Sequence, residues 1–252
     1  MRPLAGKVVL VTRPPGRAEE LVVLLSKRGA VAVAAPAIQI VPVRSATLTR
    51  ALKDLSEGGF EWITLTSQAT VQMLAERLTP AHQVRAKVAA IGDGTAEAFK
   101  RWARRQPDLQ PAAFTTAALA RAFPRGTGRV LCARADIAPE GLETALAAKG
   151  WSPTRVVAYR TRFARALPPE ARRELERGNI DAITFTSASA VRGFVGALGA
   201  VRGDPKVVCI GPVTAAEARA RGFRVAAVAK PHTMGGIVEA LERVFTPRRT
   251  SP

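Results

Sequence analysis

"ITFTSASAV" at residues 183–191 and "ITLTSQATV" at residues 63–71 are near copies. Each is a short β-branched run that ends in a serine, Ser187 or Ser67, and then passes into a helix-like pattern. The two serines lie 120 residues apart. Three more blocks repeat in the same order at nearly that offset. "VLVTRPPGRAEELVVLLSKRG" (9–29) aligns with "VLCARADIAPEGLETALAAKG" (130–150), pairing Arg13 with Arg134 and Gly29 with Gly150. "VAAIGDGTAEAFKRWA" (88–103) aligns with "VVCIGPVTAAEARARG" (207–222), pairing Thr95 with Thr214. "FTTAALARAF" (114–123) matches "HTMGGIVEAL" (232–241) more weakly. Four ordered blocks at one offset read as a tandem duplication of a unit of about 120 residues.

Within each unit, short apolar runs alternate with amphipathic stretches. "KVVLVT", "FEWITLTS" and "KVAAIG" read as strands, each feeding a helix. The first helix, "GRAEELVVLLSKRG", sets Leu21, Leu24 and Leu25 on one face and stops at Gly29. Strands alternating with helices imply parallel sheets with right-handed crossovers, hence Rossmann-like α/β layers. Two extended segments interrupt the alternation at equivalent places: "AIQIVPV" (37–43) and "RVVAYRT" (155–161), which could pair with each other.

The 252 residues suffice for one or two domains with real cores. Apolar residues at 47% and charged residues at 23% describe an ordinary globular chain. No apolar run reaches the ~20 residues that span a bilayer. The basic N-terminus carries an apolar run of about five residues, too short for a signal-peptide core, so a cytoplasmic location is expected. Cys132 and Cys209 sit in separate apolar runs and read as buried strand residues. With His82 and His232 they show no metal-ligand spacing. His82 reads as a surface loop residue and the tail "TPRRTSP" as disordered. The net charge of +18 comes from 30 Arg and 8 Lys, alongside many Ala, Gly and Pro. A GC-rich composition produces that bias as readily as function does, so the charge permits an anionic partner without requiring one.

In open parallel sheets, ligands bind beyond the carboxyl ends of the strands. "VTRPPG", "LTSQA", "IGDGTA", "CARAD", "FTSASA" and "IGPVTA" are all strand-to-helix junctions rich in small polar residues. Helix N-termini there would offer backbone N–H groups to carboxylates or phosphates, with Ser67, Thr95, Ser187 and Thr214 as candidate caps. Arg13 and Arg134 lie at strand ends; each could bind an anion or form an exposed ion pair. None of the junctions is a nucleotide motif: G-x-G-x-x-G, the P-loop and the G-x-S-x-G elbow are all absent. His232 reads as a loop residue bordering the last helix. Tyr159, the only tyrosine, lies in the second interruption and reads either as a packed strand residue or as a phenol able to hydrogen-bond a ligand.

The ordered set "VLVTRP", "ITLTS", "IGDGTA", "VVAYRT", "ITFTSASAV" and "IGPVTA" resembles the uroporphyrinogen-III synthase family across roughly residues 7–243. The resemblance implies two Rossmann-like parallel-sheet domains joined by a two-stranded β-ladder, "IQIVPV" against "VVAYRT", with the active site between them. One domain would be discontinuous, 1–37 plus 163–252, and the other 39–161, so the domains cut across the repeat. The implied activity is closure of hydroxymethylbilane, a linear tetrapyrrole with eight carboxylates, to uroporphyrinogen III. Water is lost and ring D is inverted through a spiro intermediate, and no cofactor is needed. Tyr159 matches the family's candidate proton donor in the linker strand, where it could also serve to orient the substrate. Ser67, Thr95, Ser187 and Thr214 match loop residues that line the substrate site, and Lys206 matches a basic residue near the substrate carboxylates. Val213 departs from a threonine found in some members. A monomer is expected, with no nucleic-acid or membrane partner; hydroxymethylbilane synthase is the candidate for transient contact. The competing reading is a two-domain anion-binding regulatory protein on the same scaffold, although no DNA-binding motif is visible. A periplasmic-type binding protein is disfavoured by the lack of an export signal.

Overall fold

The computed structural model describes residues 2–78, 84–198 and 202–246. The readings of His82 and of the basic tail from residue 247 onward lie outside the described residues. In chain order the elements begin with β1 (Val8–Val11), α1 (Glu19–Lys27), β2 (Val31–Ala34), β3 (Ile38–Pro42), α2 (Ala46–Ser56), β4 (Trp62–Leu65) and α3 (Gln68–Arg77). There follow β5 (Lys87–Ala90), α4 (Asp93–Ala103), α5 (Thr116–Ala122), β6 (Arg129–Ala135), α6 (Gly141–Ala147) and β7 (Ser152–Phe163). The chain ends with α7 (Pro169–Arg177), β8 (Ala182–Phe185), α8 (Ala188–Ala197), β9 (Lys206–Cys209), α9 (Pro212–Ala220), β10 (Val225–Val228) and α10 (Met234–Phe245). The chain divides into two compact units, Met1–Gln39 with Arg162–Pro252, and Ile40–Thr161. It passes from one to the other within β3 and again within β7.

The first unit holds a sheet in the order β10-β9-β8-β1-β2, parallel throughout. The second holds β3-β7-β6-β4-β5, parallel from β7 to β5, with Leu109 bridging in parallel to Ala89 of β5. The sequence repeat is also a repeat of topology. By that repeat β1 corresponds to β6, β8 to β4 and β9 to β5, and β9-β8-β1-β2 matches β5-β4-β6-β7 in order. The second unit takes the later part of the first repeat and the opening of the second, so it is a circular permutation of the first. β3 is paired at the outer side of β7, where the first unit simply ends at β2.

Side chains alternate across each sheet, as period-2 geometry requires. Val9 and Val11 of β1 face α1 and α10, where Leu21, Leu25, Ile237 and Leu241 cover them. Leu10, Ile183 and Phe185 face the opposite way, onto α7, α8 and α9. In the second unit Ile63 and Leu65 pack under α2, α3 and α4, while Val130 and Cys132 pack under α5 and α6. Each sheet is therefore covered on both faces, the arrangement that a parallel sheet needs. Gly29 ends α1 as expected; its φ of +80° is the left-handed turn that glycine takes without cost. Among the described residues, no helix is long and apolar enough to cross a membrane.

Two testable consequences arise here. In α8, Gly193 presses against the chain entering β3: a Cβ there would stand 2.1 Å from the Ala37 carbonyl oxygen. That neighbour is backbone and cannot rotate away. Gly193→Ala is expected to destabilise the first unit by about 1–3 kcal/mol, seen as a lowered denaturation midpoint. An unchanged midpoint would mean α8 can shift freely. The second consequence concerns the two thiols, which are buried in β6 and β9 as read from the sequence. Burial pushes Cys132 up to about 11 and Cys209 up to about 12. Only the thiolate is nucleophilic, so neither should take up an alkylating reagent at about pH 8 until the chain unfolds. Stoichiometric labelling of the native protein would contradict this.

Candidate functional site

In both sheets the strand order reverses direction once. In the first unit the reversal falls between β1 and β8, in the second between β6 and β4. The crevice at such a switch point, outside the carboxyl ends of the strands, is where doubly wound sheets bind ligands. The turns found there are the junctions singled out in the sequence.

In the second unit, Ser67 caps α3 by accepting the Thr70 N–H at 3.1 Å. Its Oγ also lies 2.9 Å from the Tyr159 hydroxyl and 3.1 Å from Thr70 Oγ1. Thr70 Oγ1 in turn donates to the Ala133 carbonyl at 3.2 Å. Tyr159 reaches this position through a bulge in β7. Arg134 pairs with Val157 while the next residue, Ala135, pairs with Tyr159, so β7 carries one extra residue. Ala158 and Tyr159 consequently both turn into the same core, where strict alternation would separate them. Asp136 steadies the turn beyond β6. Its backbone N–H donates to the Tyr159 carbonyl at 3.1 Å and its carboxylate accepts the Thr161 N–H at 3.0 Å.

The first unit repeats the pattern with different side chains. Ser187 caps α8, accepting the Ala190 N–H at 3.1 Å, and its Oγ lies 3.0 Å from that of Ser189. Thr233 caps α10 as Thr115 caps α5, each through the N–H three residues on. Neither threonine was singled out from the sequence, although both stand in the weakest of the four repeat blocks. His232 holds its Nδ1 2.7 Å from the Ile210 carbonyl and lies beside Gly211. Phe114, its repeat counterpart, lies against Gly92 so closely that a Cβ there would meet the ring at 2.7 Å.

Several expected site residues are placed differently. Thr95 and Thr214 are not caps. Gly92 and Gly211 occupy the cap positions of α4 and α9, and the threonines sit buried in the first turn. A glycine cap brings no side-chain acceptor to the first turn, where the Thr95 N–H donates instead to the Gly92 carbonyl at 3.0 Å and Pro212 has no N–H. Lys206 opens β9 and pairs with Asp204 at 2.8 Å. The first residue of a parallel strand lies at the amino edge of the sheet, opposite the candidate site, so Lys206 does not belong to it. Arg134 is 2% exposed and is neither an anion site nor a surface pair. Its Nη1 donates to both Glu143 carboxylate oxygens, at 3.1 and 2.9 Å, and to the Pro139 carbonyl at 2.7 Å. Arg13, its repeat counterpart, has Val22 where Arg134 has Glu143. It donates instead to the Arg17 carbonyl and, at 3.1 Å, to the Met234 sulfur, and it forms no ion pair among the described residues. Burial pulls its guanidinium pKa below the ordinary value; Glu20 opposes that shift and Arg17 adds to it. No cluster of metal-binding side chains occurs among the described residues.

Two duplicated, doubly wound units with small-residue turns at their carboxyl ends define a class of two-unit α/β protein. A model of the family described as uroporphyrinogen-III synthase HemD matches residues 19–239, and the chain belongs to that family. It is 30% identical over 250 residues to the porphyrin biosynthesis protein HemD of Ruminiclostridium josui, covering 95% of this chain and 49% of that protein. The chain thus spans about half the length of that relative. It is 26% identical to the uroporphyrinogen-III synthase of Synechococcus elongatus, covering 96% of this chain and 97% of the other. Among solved structures, a mutant uroporphyrinogen III synthase from Thermus thermophilus aligns with a TM-score of 0.66 at 23% identity, covering 95% of this chain and 98% of that one. The uroporphyrinogen-III synthetase of Helicobacter pylori aligns with a TM-score of 0.58 at 16% identity, covering 93% and 97%. These last two likenesses bear on the fold alone.

Proposed function

We propose that the chain is a uroporphyrinogen-III synthase, a cyclising lyase that converts hydroxymethylbilane to uroporphyrinogen III with loss of water and inversion of ring D. The observation that carries this reading is the family match across residues 19–239. The loss of the ring-A hydroxyl generates an electrophile that ring D attacks through its substituted carbon. The spiro intermediate then fragments and recloses with that ring turned over. The protein's task is to hold a flexible polyanion in the conformation that favours this attack over direct closure.

The residues support each demand. Carboxylates suit first-turn N–H groups and the positive end of helix dipoles, which the Gly92 and Gly211 turns leave without a capping side chain. Arg13 adds a cation that is not committed to a carboxylate of its own. Ser187 and Thr233 cap helices of the first unit, and Ser67, in contact with Tyr159, caps one of the second. Tyr159 orients the reacting end of the substrate.

The test is binding in the absence of turnover. Uroporphyrinogen III should raise the melting temperature saturably, and Arg13→Gln should weaken its apparent affinity about 10- to 100-fold, the worth of a charged hydrogen bond. No stabilisation of the wild type at any concentration would contradict the reading.

A further inference from the structure

We propose that Asp136 is a catalytic residue whose carboxylate stabilises the positive charge that the tetrapyrrole carries between loss of its hydroxyl and ring closure. The inference rests on the synthase reading for the reaction and adds an anion to it. Asp136 follows Ala135, the last residue of β6, and so stands at the carboxyl end of that strand, on the β6 side of the switch point. Its backbone N–H donates to the Tyr159 carbonyl at 3.1 Å, which sets the two residues side by side. One carboxylate oxygen is tied down: Oδ1 accepts the Ile137 N–H at 2.9 Å and the Thr161 N–H at 3.0 Å. The other, Oδ2, has no hydrogen bond or ion pair among the described residues, and the residue is exposed. Two guanidinium groups brace the turn beyond it, Arg134 Nη1 on the Pro139 carbonyl at 2.7 Å and Arg155 Nη2 on the Ala138 carbonyl at 2.6 Å. The open oxygen is thus carried on a fixed turn, as preorganised electrostatic stabilisation requires. The equivalent place in the other repeat holds Pro15, so the carboxylate belongs to one unit alone.

An anion is a poor neighbour for a substrate with eight carboxylates, but the reaction passes through cations. The C–O bond of the ring-A hydroxymethyl group breaks with its electron pair on oxygen, which takes a proton from solvent and leaves as water. The ring-A nitrogen lone pair moves in, making an azafulvenium cation. A π pair of ring D, at its substituted carbon, forms the bond to that centre, and the charge passes to ring D. The bond from this spiro carbon to the methylene shared with ring C then breaks. Its pair returns to ring D, and the charge passes to ring C. The unsubstituted carbon of ring D attacks that methylene and gives up its proton to water. One proton is taken up and one released, so the net change is loss of water. A single positive charge is present throughout and absent at both ends. A fixed carboxylate beside it favours every cationic stage and opposes both substrate and product, and that difference lowers the barrier. Asp136 faces the charge and transfers no proton.

Asp136→Asn removes the charge and keeps an oxygen for the Ile137 and Thr161 N–H groups, so its melting temperature should stay near that of the wild type. In turnover of hydroxymethylbilane its kcat should fall about 10- to 100-fold. Its KM should fall as well, about 2- to 5-fold, because a ground-state repulsion is removed with the charge. A merely structural residue would not lower both, since a misplaced turn does not tighten binding. Uroporphyrinogen III, which keeps the carboxylates and lacks the cation, should stabilise Asp136→Asn at lower concentrations than it does the wild type. Asp136→Ser, whose hydroxyl takes the place of Oδ1, should show the same split. Wild-type kcat in Asp136→Asn, or a raised KM, overturns the proposal and leaves the synthase reading standing. Failure of both variants to fold also overturns it, by making the carboxylate a structural element. If the wild type forms no uroporphyrinogen III, the synthase reading falls and the proposal falls with it.

Discussion

Glu143→Ala is expected to destabilise the protein by about 3–5 kcal/mol, the cost of leaving buried charge unpaired. Glu143 is the carboxylate that Arg134 bonds through both oxygens, and Arg155 Nη1 lies 3.9 Å from it as well. Among the described residues, Arg134 Nε and Arg155 Nη1 are already buried without a hydrogen bond. Removing Glu143 leaves two neighbouring guanidinium groups without the anion they share. The loss should appear as a lower urea midpoint at an unchanged slope, and added salt should change it little because the pair is shielded from solvent. By contrast, cutting the exposed Lys53–Glu57 pair, whose side chains are 72% and 62% exposed, should cost well under about 1 kcal/mol. Replacing the buried pair together, Arg134→Met with Glu143→Leu, should recover most of the loss. A Glu143→Ala variant within about 1 kcal/mol of the wild type would show that Arg134 is solvated after all.

Tyr159→Phe should lower kcat/KM about 10- to 100-fold, the range that misplacement of a bound reactant produces, while leaving the fold intact. The ring stays in its core, and Ser67 still accepts the Thr70 N–H, so the melting temperature should barely move. What is lost is the oxygen that, on the proposed reading, orients the substrate. Because the linear substrate also closes on its own without inversion, the variant should release more of the type I isomer. Coupled turnover from porphobilinogen with separation of isomers measures both effects. A variant with full rate and full fidelity would remove Tyr159 from the mechanism.

The repeat was legible because strands, helix stops and apolar faces are local patterns, and Ser67, Ser187 and Gly29 behave as their neighbours dictate. What depends on distant partners was not legible. Thr95 and Thr214 look like caps in sequence, but the extended residues before those helices are Gly92 and Gly211. Gly92 in particular meets Phe114 too closely to carry a side chain. The resemblance sets Lys206 near the substrate carboxylates, yet as the first residue of β9 it stands at the amino edge of the sheet, which only the strand direction reveals. Arg13 and Arg134 are equivalent in the repeat, but Glu143, which pairs with Arg134, stands where the other copy has Val22. The bulge that turns Tyr159 toward Ser67 is a pairing irregularity between β6 and β7, invisible in either strand alone.

The most direct measurement is the isomer composition formed from freshly made hydroxymethylbilane as the purified protein is titrated in. Uroporphyrinogen III should rise with protein until it dominates the product, because enzymatic inversion outruns spontaneous closure. Type I alone at every protein concentration would contradict the synthase reading at its root.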